Sequence, residues 1–465
     1  MVDISEIIAE WAVKTTFNDI PLIVIENAKK SIIDTIGVAL AGSKTNLASM
    51  GRMYATEYYA IGKCNIIGTD KKLKSGGAAF ANCIAAHVLD YDDTCYADRS
   101  DASVVHGSAV ILPAVWAVSE ELDLSGKELL TAFVLGSEVE YFICRMVTAN
   151  FFAKGWFTTS AIGIIGAAVG VAKAKHLGFK EVINTIGLAA SRAANTRVCL
   201  GTDSNPFSSA RAAEGGVCAA EFARLGASAP SNVFEGPNGF LQVYNDNHID
   251  KDALDGLGKN LAFSDSALWY KLFPVCTAAQ AAIEVALSLS TSYRILPENV
   301  AAVHCTVSPL VVSLLRYRIP RTPAEAQFSL PFAIACAIVF KRLTLCELIE
   351  DVLKDQRLLE TIDKVVVVSY REGGILPSNK REATEQATVR ITMVNGDVYT
   401  ATKEYATGTP ENPMADLQLE QKFLSCGEKI IPEKNLRLLL NNLKDIESIP
   451  TISSILPAAF AGPGS

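Results

Sequence analysis

The sequence predicts a mainly α-helical protein: a large all-helical domain over residues 1–268 and 404–455, and a smaller α+β lid domain with an antiparallel sheet over 269–403. Three observations predict it. Apolar residues recur at helical spacing through the first half of the chain. Alternating, β-branched runs begin only after about residue 265. And 465 residues are too many for one compact core, so two domains are expected.

Taken in order, Ile4, Ile7, Ile8 and Trp11 share one helical face, and the acidic N-terminus predicts a helix rather than a signal peptide. Asn18-Asp19-Ile20-Pro21 is a start signal with proline in the first turn, and Gly42 is a stop. Helical segments follow near 76–89, 107–121, 126–147, 158–177, 180–194 and 209–226, rich in Ala and Gly, which suits close packing of helices. Val300–Val307 and Lys364–Tyr370 read as strands. Ala387–Val394 alternates, is followed by Asn395-Gly396, and resumes at Val398, which is the pattern of a β-hairpin. Helices are expected between the strands at 274–291, 324–340 and 344–359, and again from Glu411. Residues 456–465 read as a tail.

Composition narrows the function. A net charge of -8 argues against nucleic acid or an anionic membrane as partner, since both need a basic face. The greasiest stretch, Ala161–Ala172, is shorter than a membrane span and reads as a buried helix. Eleven cysteines, an odd number with no CxxC pair, fit reduced thiols in a cytoplasmic protein better than a disulfide framework. The glycine motifs of nucleotide sites are missing, as is the HExxH-type spacing of a metal site, so no cofactor is expected.

The densest polar cluster is His87-Val-Leu-Asp90-Tyr91-Asp92-Asp93-Thr94, with Ser103-Val-Val-His106 behind it. Three carboxylates and two imidazoles between two apolar helices are costly unless solvated or working. His106 precedes a helix, where a neutral imidazole makes a good proton acceptor. The plainer alternative is that the aspartates cap helices and His106 is a satisfied surface residue. A second polar stretch carries Ser204, Asn205, Ser208, Ser209 and Arg211 into an alanine-rich helix. Arg211 in its first turn would suit a carboxylate, or else simply face solvent. Lys271, set among Trp269, Tyr270 and Phe273, is either an anion clamp or base, or a surface lysine laid along apolar neighbours.

Together these stretches resemble the MmgE/PrpD family, whose members include 2-methylcitrate dehydratase, cis-aconitate decarboxylase and iminodisuccinate epimerase. The resemblance is carried by His87-xx-Asp90-Tyr-Asp-Asp-Thr94, His106, Pro113, Gly201-Thr, Arg211-Ala-Ala, Phe234-Glu-Gly-Pro-Asn-Gly239, Lys271-x-Phe-Pro-x-Cys276, Phe328-Ser-Leu-Pro331 and Gly408-x-Pro410-Glu-Asn-Pro-Met414. It implies a helical domain with an α+β lid, a homodimer, and a site between the domains formed by Asp90, Thr94, His106 and Lys271. Four positions depart from the decarboxylase pattern: Phe157 and Gln280 stand for histidines, Asn205 for a lysine and Phe332 for a tyrosine. Each change removes a proton donor or a positive charge, which disfavours cis-aconitate decarboxylation. His106, Lys271 and Asp90 remain as catalytic candidates, with Tyr141 and Arg211 beside them. The expectation is metal-independent proton abstraction next to a carboxylate of a small di- or tricarboxylate, or of an imino or amino acid. An epimerase or isomerase is favoured, a hydro-lyase is second, and a non-catalytic binder is third.

Overall fold

The computed structural model describes residues 3–96, 104–259, 261–264, 268–370 and 386–460. The fold is mainly helical with an α+β part. Helices α1 (Leu22–Gly42), α2 (Ser75–His87), α3 (Gly107–Glu121), α4 (Gly126–Ala153), α5 (Gly163–Ala174), α6 (Phe179–Ala190) and α7 (Ser204–Arg224) pack into one hydrophobic core. Small residues set the closeness of this packing. A methyl group on Gly136 would lie 2.7 Å from the carbonyl oxygen of Gly166, so α4 and α5 touch backbone to backbone. Val110, Ile111, Trp116, Phe133 and Phe142 fill the interior and are almost wholly buried.

A second core surrounds α8 (Gln280–Ser292), α9 (Leu330–Val339) and α10 (Gln356–Asp363), which follow one another along the α+β part. The last helices of the chain, α11 (Asp416–Gly427) and α12 (Glu433–Lys444), return to the first core through Phe423, Leu436 and Leu440. Residues 456–460, expected as tail, belong to the helix Ile455–Phe460, anchored by buried Ile455 and Leu456; the rest of that tail, 461–465, lies outside the described residues.

Ile61–Asn65 (β1) and Lys72–Leu73 (β2) form a small antiparallel pair on the helical side. Thr94–Tyr96 (β3), Val104–Val105 (β4) and Leu268–Trp269 (β5) form a three-stranded sheet with β3 central. Val300–Val307 (β6), Val365–Ser369 (β7), Ala387–Met393 (β8) and Val398–Lys403 (β9) form the third, in the order β7-β6-β8-β9. The hairpin expected at Asn395-Gly396 joins β8 to β9, with Gly396 at a φ of +93°. The sheet is antiparallel, as expected, at the β6–β8 and β8–β9 pairings, and mixed overall because β6 and β7 run parallel. Their long connection carries α9 and α10, and so has the reach to return the chain in the same direction. Strand periodicity carries no information about direction.

Among the described residues no helix is long and apolar enough to cross a membrane. The cysteines are unpaired, and most are buried.

One contact sets the position of the site. Strand β5 pairs with β3, placing Trp269 opposite Thr94 and Leu268 opposite Cys95. This brings the 268–276 segment against the aspartate-rich loop. Gly408 holds it from the other side. Its φ is +100°, its carbonyl accepts from the Tyr270 N–H at 3.2 Å, and a methyl group there would lie 1.9 Å from the Tyr270 oxygen.

Candidate active site

The loop after α2 is tied down from four directions. Lys422 of α11 donates to the Tyr91 carbonyl at 2.7 Å, and its ammonium lies 2.7 Å from Asp34 of α1. Gln327 donates to the Val88 carbonyl at 3.0 Å. Ser31 of α1 and Ser108 of α3 both donate to Asp93, at 2.6 and 2.8 Å. Lys271 donates to Asp90 twice, to its carbonyl at 2.7 Å and to Oδ1 at 2.5 Å. Asp90 sits at a φ of +46°, a left-handed turn that aims its main-chain and side-chain oxygens at one ammonium.

Asp92 is the hub. It is fully buried and faces two imidazoles: His106 Nδ1 at 2.9 Å and His87 Nδ1 at 3.1 Å from Oδ2. Burial pushes its carboxyl up, but the two imidazoles outweigh it and hold Asp92 well below the usual carboxylate range. An ionised carboxylate only accepts hydrogen bonds, so both Nδ1 atoms carry their protons. Burial, and then the Lys271 charge, lower the pKa of His106. It is therefore neutral near pH 7, with an unprotonated Nε2 that lies 3.9 Å from Asp90 Oδ1. Its backbone caps α3, as the sequence suggested, and its N–H donates to Thr159 at 3.1 Å.

His106 and Asp90 line a cavity of about 630 Å³, including its open mouth, with Asn205, Cys276 and Thr277 as further polar groups. Phe157 is part of its wall. Thr94 lies just behind, sharing a 2.9 Å hydrogen bond with Thr277. Lys271 is fully buried beneath Asp90, which corrects the reading of a surface lysine. The surface reading of His106 is corrected too, because 12% of its side chain is exposed and Asp92 holds its ring. Asp92 and Asp93 do not cap helices: they anchor imidazoles and serine hydroxyls.

The structure does not bring the remaining candidates to this cavity. Helix α7 begins at Ser204 with Asp203 as its N-cap, so Arg211 sits two turns in rather than in the first turn. Arg211 stacks near Tyr54, Phe80 and Phe207 and donates to the Tyr54 hydroxyl at 2.8 Å. Ser204 is exposed at the start of α7. Tyr141 is buried against Phe263, and Phe332 lies in the second core. Gln280, standing where the family pattern has a histidine, accepts from Leu272 N and Phe273 N and donates to the Phe273 and Val275 carbonyls. It locks the turn that presents Lys271. Ser103 lies outside the described residues.

Sequence reasoning missed the role of Asp92 and the cavity wall formed by Phe152, Leu200, Leu310, Val311 and Leu314. It also missed that His87, Asp92 and His106 converge, with one ligand atom from each within 4.8 Å of the others. This trio could hold a divalent ion if the ion displaced the two N–H protons. The proton-bridged arrangement already satisfies Asp92 and both Nδ1 atoms. His87 Nε2 has no hydrogen-bond partner among the described residues, and its ring borders a second, smaller cavity beside Thr202 and Asp203.

Asp93 gives a pH prediction. Burial, followed by the nearby Asp34, raises its carboxyl to about 7 against the serine hydrogen bonds. A folded-state pKa above the unfolded value means the folded state holds the proton more tightly. Stability therefore falls as pH rises from about 4 to about 7, and levels off above that. Asp93→Asn removes this titration. The slope of unfolding free energy against pH should become shallower in that window by up to about 1.4 kcal/mol per pH unit. Denaturant unfolding at several pH values reads the slope, and an unchanged slope would refute the assignment.

The fold and site define a mainly helical protein with two large hydrophobic cores among the described residues and a carboxylate-anchored imidazole in a cavity beside a buried lysine–aspartate pair. Comparison with known families agrees with this class. The MmgE/PrpD N-terminal domain model matches residues 6–251, and the MmgE/PrpD C-terminal domain model matches residues 273–445. The chain belongs to the MmgE/PrpD family. It is 25% identical over 447 residues to the cis-aconitate decarboxylase of Homo sapiens, covering 93% of this chain and 90% of that protein. It is 23% identical over 477 residues to the cis-aconitate decarboxylase of Aspergillus terreus, covering 97% and 94%. The family relatives named here are enzymes.

Proposed function

We propose that this protein is a cofactor-independent acid–base enzyme that abstracts a proton next to a substrate carboxylate, with His106 as the base. The observation that carries the reading is His106 itself. Asp92 pins its Nδ1, its ring is neutral, and it lines the cavity. The Lys271–Asp90 pair beside it fixes the position of the Asp90 carboxylate at the cavity, next to the base. Epimerisation or isomerisation is the favoured outcome, since it needs only removal of a proton and its return on the opposite face or at a neighbouring atom. Loss of water after the same first step, a hydro-lyase reaction, is the second reading. Decarboxylation, the activity in the relatives' names, is disfavoured, because Phe157 and Asn205 stand in this cavity where that pattern has a histidine and a lysine. A cytoplasmic homodimer is part of the same proposal.

Exchange of substrate C–H for solvent deuterium tests it, run in the presence of a chelator. Exchange should persist in the chelator; loss on chelation and recovery with a divalent ion would overturn cofactor independence and point to the His87–Asp92–His106 trio. The pH profile follows from the base. His106 must be unprotonated to act, and burial lowers its pKa. The kcat/KM for exchange should rise with pH through a value below the ordinary histidine pKa, then stay flat across neutrality. An acidic limb centred above about 6.5 would exclude His106 as the base.

A further inference from the structure

The wall of the cavity is far more apolar than a site for a small polyacid requires. Phe152, Phe157, Leu200, Val311, Leu314 and Phe328 supply most of it. The polar groups, His106, Asp90, Asn205, Thr277, Cys276 and Tyr96, are fewer. No lysine or arginine lines the cavity among the described residues. Among the described residues the nearby cations have partners of their own, although Arg197 Nε has no hydrogen-bond partner. Lys271 is held by Asp90. Arg197 stacks 3.9 Å over the Phe152 ring and donates to the Phe152 carbonyl. Arg316 donates to the carbonyls of Val198 and Leu200.

We infer that the substrate carries a single carboxylate on an apolar body, aliphatic or aromatic, and not the second or third carboxylate of a compact polyacid. This narrows the substrate of the proposed proton-transfer site and takes from that reading only the location of the reacting end. Two physical arguments support it. Among the described residues, one ammonium, Lys271, and two carboxylates, Asp90 and Asp92, stand around the base, and these offer no surplus positive charge to several carboxylates. A further carboxylate directed away from His106 would meet phenylalanine, leucine and valine, and burying a charge there without a partner costs several kcal/mol. An alkyl or aryl body in the same space gains about 0.8 kcal/mol for each methylene removed from water.

Calorimetric titration of the full chain tests this with four probes: hexanoate and 3-phenylpropanoate against glutarate and citrate. Hexanoate and 3-phenylpropanoate should bind at least about tenfold more tightly than glutarate and citrate, since two buried methylenes already supply that factor. Leu314→Asp puts a charge in the wall and should weaken the two monocarboxylates by at least about tenfold. Val312→Asp changes an exposed residue of the same short helix that does not line the cavity, and should leave binding unchanged. Equal or tighter binding of citrate or glutarate overturns the inference, as does failure of every probe to bind, or indifference of hexanoate to Leu314→Asp. The two proposals fail separately. Binding of the monocarboxylates with no His106-dependent deuterium exchange on any apolar acid sinks the proton-transfer reading and leaves the substrate class. His106-dependent exchange confined to polycarboxylates does the reverse.

Discussion

His106→Ala is expected to lower turnover by about 10²–10⁴-fold while leaving the fold in place, the range over which a positioned general acid–base group acts. The ring is held by one strong partner, Asp92, and is otherwise directed at the cavity, so its removal opens space beside the substrate and not in the core. His87 would still hold Asp92 through Nδ1, so the loop keeps an anchor. The effect should fall on kcat rather than on substrate binding, because the interaction lost is made to a moving proton. Steady-state kinetics of the variant, with circular dichroism as the fold control, decides it. Near-normal turnover on the true substrate would move the base elsewhere. Unchanged ligand affinity with no turnover in the wild type would mark the chain as a binding protein.

Lys271→Met should destabilise the folded protein by about 3–5 kcal/mol, the usual cost of leaving one member of a buried ion pair without its partner. Lys271 is fully buried, and both of its hydrogen bonds go to Asp90, whose carboxylate is also inside. Burial alone would lower the lysine pKa. The Asp90 and Asp92 carboxylates outweigh it and keep the group charged. Adding Asp90→Asn to Lys271→Met should recover a large part of the loss, because the stranded charge then disappears. Denaturant unfolding of the two single variants and the double variant forms the cycle. A Lys271→Met cost below about 1 kcal/mol, the range of an exposed pair, would show that the ion pair does not exist in solution.

Most helices could be read directly, because apolar spacing, Pro21 and the glycine-rich contacts leave clear marks in the sequence. The β8–β9 hairpin was equally legible from Asn395-Gly396. The parallel β6–β7 pairing was not, since a strand's own residues do not encode its neighbour's direction. The site divides in the same way. His106 and Asp90 stood out as polar groups between apolar helices. Asp92 was visible, but its double use was not, because that depends on where α2 ends relative to the start of α3. Val311 and Leu314 look like any other core residues until the second core lays them across from His106. Arg211 misled because an arginine near a helix start resembles an anion site, and only the true start at Ser204 shows that it is two turns away.

The pairing of β3 with β5 has a consequence for how the molecule comes into being. Asp90 and Lys271 are 181 positions apart, whereas the helices around them can form from near neighbours in the chain. Contacts that close so long a loop come late, after local structure has reduced the entropy of bringing the ends together. A refolding chain is therefore expected to regain much of its helix before its chemistry. Competence is expected with the late docking of Trp269 beside Thr94, which carries the lysine to its aspartate.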